Sequence, residues 1–155
     1  MRLTEILSPE CVKVPLTATD KKAVIAEMVD LVAAAGKISD REQMLSATLE
    51  RENTRTTGIG NGLAIPHGKC PAVKDLVMAL GKCSPPVEFE SIDSKPVSIV
   101  IFLASPPDRT GPHIQALARI SRLMTDTKFR AALDKAATAK EVYDLIADYE
   151  ANHAS

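Results

Sequence analysis

Two uninterrupted apolar runs, Leu76-Val77-Met78-Ala79-Leu80 and Ile99-Val100-Ile101-Phe102-Leu103, constrain the fold of this chain more than any other feature. Both are short and bounded by turn residues, which predicts strands. A strand with one wet face alternates apolar and polar residues; these do not, so something must cover both faces. The cover is written on either side of them. From Thr19 to Ala35, Val24, Ile25, Met28, Val29, Leu31, Val32 and Ala35 give a broad helical stripe, and Gly36 is placed to stop it. Ser39 and Glu42 have capping-box spacing, predicting a second helix to about Thr54. Three further helices are predicted near 111–124, 126–135 and 138–149. The last opens on Thr138 and Glu141 and buries Val142, Leu145, Ile146 and Tyr149 on one face. Pro85-Pro86 and Lys95-Pro96 are expected to break the chain between the strands. The segment Leu3 to Leu7 reads either as an edge strand or as one helical turn. The prediction is an α/β chain: a three-layer α/β/α single domain over 1–150, with a small mixed β-sheet flanked by helices. Residues 151–155, with His153, read as a frayed tail.

With 155 residues the chain suits one domain and one core. Net charge is -1, and lysine and arginine are scattered, so no basic block predicts nucleic-acid binding. Three cysteines, Cys11, Cys70 and Cys83, form no CxxC pair; an odd number without a leader-like segment predicts reduced thiols and a cytoplasmic setting. No apolar run approaches the roughly 20 residues that span a bilayer.

The chemistry is concentrated in Leu63-Ala64-Ile65-Pro66-His67-Gly68-Lys69. A short apolar run ends in a proline, which cannot donate to a sheet ladder, and a histidine stands immediately after it. Gly58, Gly60 and Gly62 precede, and Asn61-Gly62 predicts a tight turn feeding the strand. An imidazole at a strand end, beside room for a small charged group, is the first candidate site. His113 is the second. It follows Gly111-Pro112 at a helix start and shares a face with Leu117, Ile120 and Met124. A core histidine would also fit that position. Arg51 is the third, near the end of the second helix, where it could cap carbonyls or grip a phosphate with its planar fork. Arg55 competes for that role. No GxxxxGK[ST] or GxGxxG nucleotide loop is present, no GxSxG elbow, and no ligand set for a metal. Asp93 and Glu88 read as solvated loop residues. The reading calls for no cofactor and no metal.

Three separated motifs resemble one family. Arg51-Glu52 with Thr57-Gly58-Ile59-Gly60-Asn61-Gly62-Leu63-Ala64-Ile65-Pro66-His67-Gly68-Lys69 resembles the phosphorylation-site signature of IIA components of the bacterial phosphotransferase system (PTS). The branch is the fructose/mannitol one (EIIA type 2), which includes nitrogen-regulatory IIA proteins. The segments Phe89–Val97 and His113–Leu123 resemble that family's connection into its next strand and its second histidine motif. The resemblance implies that His67 accepts phosphoryl, on Nε2 (a tele-phosphohistidine). It implies that His113 helps hold the group and that Arg51 neutralises part of its charge. It implies a phosphorylated histidine carrier, of the HPr or NPr type and charged from phosphoenolpyruvate, as donor. Arg55 and Thr56 depart from the glycine and serine common in the family. Leu63 and Ile65 are expected to keep water from the site.

The favoured role is nitrogen regulation through partner proteins that sense phosphorylation, since no IIB, IIC or carrier segment accompanies the domain. The same residues would serve a sugar-uptake IIA that passes phosphoryl to a cysteine of a IIB component, peripheral to membrane transport. A binding module that no longer takes phosphoryl is a further alternative. Turnover of a small substrate without the carrier would point instead to an unrelated histidine-dependent enzyme.

Overall fold

A computed structural model describes residues 1–153; Ala154 and Ser155 lie outside the described residues. A single 3-10 turn, Leu3–Glu5, leads into strand β1 (Leu7–Leu16). Helices α1 (Lys21–Ala34) and α2 (Arg41–Thr54) follow. Three short strands come next: β2 (Gly58–Gly60), β3 (Leu63–Ala64) and β4 (His67–Lys69). Two long ones, β5 (Val77–Val87) and β6 (Val97–Ser105), contain the apolar runs. Helices α3 (Thr110–Thr125), α4 (Thr127–Lys135) and α5 (Ala139–Asn152) complete the chain.

One mixed sheet runs β1-β5-β6-β3-β2, with β4 also on β6. β6 is its axis: β5 pairs with it antiparallel on one side, and β3 and β4 pair with it parallel, end to end, on the other. Eight of its nine residues are buried, as a strand covered on both faces requires. The α1–α2 pair packs against β5 and β4; α3, α4 and α5 pack on one another and reach the sheet at β6 and β1. The expected α/β/α architecture is therefore present.

Several local expectations are corrected. β1 goes unread in the sequence because Pro9 and Pro15 lie inside it. It is an edge strand on β5, and its register slips between Leu7 and Val12 and again between Lys13 and Leu16. Missing N–H groups are tolerated at such interruptions. The Leu3–Leu7 segment is both things it could be, a helical turn and then a strand. Pro85-Pro86 do not end β5 but lie within it, again across a register shift, between Lys82 and Val87. The cap of α2 is Asp40, which accepts from Gln43 N–H at 3.0 Å, while the Ser39 hydroxyl donates to the Ala72 carbonyl. Asp93 is the exposed loop residue expected, and its carboxylate accepts from the N–H groups of Asn61 and Lys95, tying two loops together. Asn61 and Gly62 both take positive φ, as a tight turn demands.

The first turn and the last helix meet. Glu150 of α5 is buried, and its carboxylate accepts from Leu3 N–H at 2.6 Å and Thr4 N–H at 3.1 Å. α5 continues through Asn152, and His153 stacks on Tyr149 and meets its carbonyl, so the helical part runs past residue 150.

Candidate functional site

Pro66 divides one strand into two. β3 stops at Ala64, and the chain rejoins the β6 ladder at His67, opposite Leu103. The Pro66 carbonyl still accepts from Leu103 N–H. The Ile65 carbonyl meets the His67 Nδ1 at 3.0 Å. Among the described residues the partner of Nδ1 is this carbonyl, which can only accept, so Nδ1 carries the proton and the neutral ring's free lone pair is on Nε2.

α2 comes close to this strand because residue 68 is glycine. A Cβ there would run into the Thr48 hydroxyl and come within 2.9 Å of Met44 Sδ and 3.2 Å of Thr48 N. With α2 seated on the Gly68 backbone, one helical face, Ala47, Glu50, Arg51 and Thr54, closes one side of a 460 Å³ open pocket. His67, Lys69 and His113 form the rest of the lining. His113 arrives from the first turn of α3. Its ring stands edge-on to His67, with centroids 5.0 Å apart and planes at 66°.

Three residues from separate segments, His67, His113 and Arg51, thus line one pocket. Arg55 does not; its carbonyl accepts from Arg51 Nη1 at 2.9 Å, which leaves the rest of the Arg51 fork to the pocket. Leu63 and Ile65 are core residues and do not line it. Cys70 is buried with Sγ 4.0 Å from Met44 Sδ. Lys69 was missed as a pocket residue. The signal was the alternation of a strand that resumes after Pro66, which puts residues 67 and 69 on one face. Among the described residues no group of three or more His, Cys, Asp or Glu side chains could hold a metal ion.

The pocket favours neutral rings and a bound anion. Burial lowers the His67 pKa, with Arg51 and Lys69 adding to it, against the Ile65 hydrogen bond and Glu52. Burial chiefly, then His67, Lys69 and Arg51, lowers His113 to about 4. The buried His113 Nδ1 has no hydrogen-bond partner among the described residues. With its proton on Nε2 instead, the ring has a donor that can turn to the pocket.

The architecture is that of IIA proteins. The nitrogen regulatory protein IIA-Ntr from Neisseria meningitidis superposes with a TM-score of 0.81 over 93% of this chain and 98% of its own, at 28% identity. The chain belongs to the family "Phosphoenolpyruvate-dependent sugar phosphotransferase system, EIIA 2", whose model matches residues 5–149. Its relatives include two kinds of protein. It is 34% identical to the fructose-specific EIIABC component of Bacillus subtilis over 97% of this chain, spanning 24% of that protein. It is 32% identical to a nitrogen regulatory protein of Bradyrhizobium diazoefficiens over 95% of each. No described helix is long and apolar enough to cross a membrane.

Proposed function

We propose that this chain is a phosphoryl relay in which His67 Nε2 takes phosphoryl from a phosphorylated histidine carrier of the HPr or NPr type. The observation that carries the proposal is the Ile65 carbonyl at 3.0 Å from Nδ1, which dedicates Nε2 to the pocket. In the transfer, the P–N bond of the carrier's phosphohistidine breaks and a P–N bond to Nε2 forms. The carrier ring leaves neutral if its other nitrogen holds a proton, and the His67 ring becomes cationic. Its Nδ1–H then bonds the Ile65 carbonyl more strongly, since charged donors make the stronger bonds. No proton has to move. Arg51 neutralises part of the charge on the phosphoryl oxygens, and His113 donates to one of them. Such transfer needs positioning and electrostatics more than covalent help.

The favoured role is nitrogen regulation, with phosphorylation sensed by partner proteins. The support is the likeness to nitrogen regulatory proteins over nearly their whole length. The likeness to a fructose-specific protein favours a second role, transfer onward to a IIB cysteine. The functional unit is residues 1–150. A relay fed from phosphoenolpyruvate works in the cytoplasm, which suits the free Cys11, Cys70 and Cys83.

Intact-mass measurement after incubation with phosphoenolpyruvate, enzyme I and carrier tests the relay, with His67→Ala as control. One added phosphoryl group in the native protein alone supports it. No gain with several competent carriers leaves a binding module. Passing the group to a IIB cysteine would then separate uptake from regulation.

A further inference from the structure

Glu52 follows Arg51 in the last turn of α2, yet the two side chains do opposite things. Arg51 lines the pocket, whereas Glu52 is buried at 5% exposure. Burying a carboxylate is costly unless every oxygen is bonded, and here both are. Oε1 accepts from the Thr57 hydroxyl at 2.6 Å and Oε2 from Thr57 N–H at 2.8 Å. Lys21 of α1 pairs with Oε2 at 2.9 Å. Lys21 also donates to the Phe89 carbonyl, as does the Thr56 hydroxyl. The ammonium thereby pins the loop beyond β5 to the same crook.

What this network holds leads to the site in two ways. The Thr57 carbonyl accepts from Ile65 N–H at 3.0 Å, and the Ile65 carbonyl accepts from His67 Nδ1 at 3.0 Å. On the other side, the turn from α2 into Thr57 carries the Arg55 carbonyl that seats Arg51. A well-packed apolar trio would stabilise the fold as well as a buried ion pair does, so the charges call for another use. We infer that Glu52, with Lys21 as its counter-ion, is a positioning residue. Through Thr57 it sets the Ile65 carbonyl that fixes the His67 tautomer and the crook that aims Arg51. The inference rests on His67 being the acceptor.

The test uses the full chain with 15N-labelled histidine at pH 7.5. The expected native state is one His67 tautomer, protonated on Nδ1. Glu52→Gln and the near-isosteric Thr57→Val should each show mixed tautomers. Each should lower kcat for phosphoryl uptake about tenfold, with KM for the carrier within about twofold of native. Thr57→Ser, which keeps the hydroxyl, should restore both. Glu150→Gln, at a buried carboxylate that does not line the pocket, should lower the melting temperature and change neither readout. A single native-like tautomer with native kcat in folded Glu52→Gln or Thr57→Val would overturn the inference. If Glu52→Gln fails to fold, Thr57→Val decides alone by the same two readouts. Absence of phosphoryl uptake by the native protein would sink the relay reading, and the tautomer comparison would still decide whether Glu52 positions His67.

Discussion

Which nitrogen of His67 carries the proton is decided by one backbone carbonyl, and burial holds the ring's pKa below that of an exposed imidazole. The phosphorylation rate should therefore hold up as pH falls. Between pH 7.5 and 6 we expect less than the roughly fourfold loss of an unperturbed imidazole of pKa about 6.5, read by quench-flow with the carrier in excess. A fourfold or larger loss would show the ring to be solvated. His113 adds a stability effect. Its pKa is about 4 in the fold against about 6.5 for an exposed imidazole, so the unfolded chain takes up the proton first as pH drops. Its contribution is complete above pH 6.5 and fades from there towards pH 4. Allowing for screening at the pocket mouth, the loss is on the order of 1–2 kcal/mol. Urea unfolding at pH 7.5 and 4.5 should show a correspondingly smaller drop in His113→Gln. Motif spacing brought His67, His113 and Arg51 to notice as single residues. Lys69 and Glu52 escaped because their use depends on a strand restarting after Pro66 and on a helix end folding back onto Thr57. Both are set by packing rather than by local pattern.

At the scale of elements, the approach of α2 to β4 depends on a missing side chain. Gly68→Ala should cost about 1–3 kcal/mol through overpacking and slow phosphoryl uptake by lifting Arg51 away. Thr48→Ala in the same chain should recover part of the loss, because the added methyl meets the Thr48 hydroxyl. Equal unfolding midpoints for native and Gly68→Ala would mean that α2 has slack. A second element depends on one lysine. Lys82 of β5 donates to the carbonyls of Leu133, Asp134 and Ala136, closing the C-terminal end of α4. Lys82→Met takes this donor from the Asp134 and Ala136 carbonyls, while the Leu133 carbonyl keeps the Ala136 N–H, and should lower stability by about 1–3 kcal/mol, measured by denaturant unfolding. The helices were legible because a 3.6-residue stripe and a cap are local signals. β1 was not, because its prolines mimic a loop and only the distant β5 makes it a strand.

For the whole molecule, phosphorylation would place about two negative charges on the phosphoryl oxygens against one positive charge on the His67 ring, taking the net charge from -1 to about -2. The phosphorylated and unphosphorylated forms should differ in affinity for a regulated partner, and the difference should shrink as salt shortens the Debye length. Titration by calorimetry at 50 and 500 mM salt checks this; a salt-independent difference would point to shape rather than charge. The three-layer architecture was legible from two apolar runs between helical stripes. The strand order was not, since it follows from pairings between segments tens of residues apart, such as β1 with β5.

The Glu150 carboxylate that binds the N–H groups of Leu3 and Thr4 brings the first turn and the last helix together. A domain whose first and last elements lie side by side can be spliced into a longer polypeptide without stretching either connection. It can equally be circularly permuted, with a short linker across the old ends and new ends opened in an exposed loop. The same fold can thus travel as a cassette between unlike hosts.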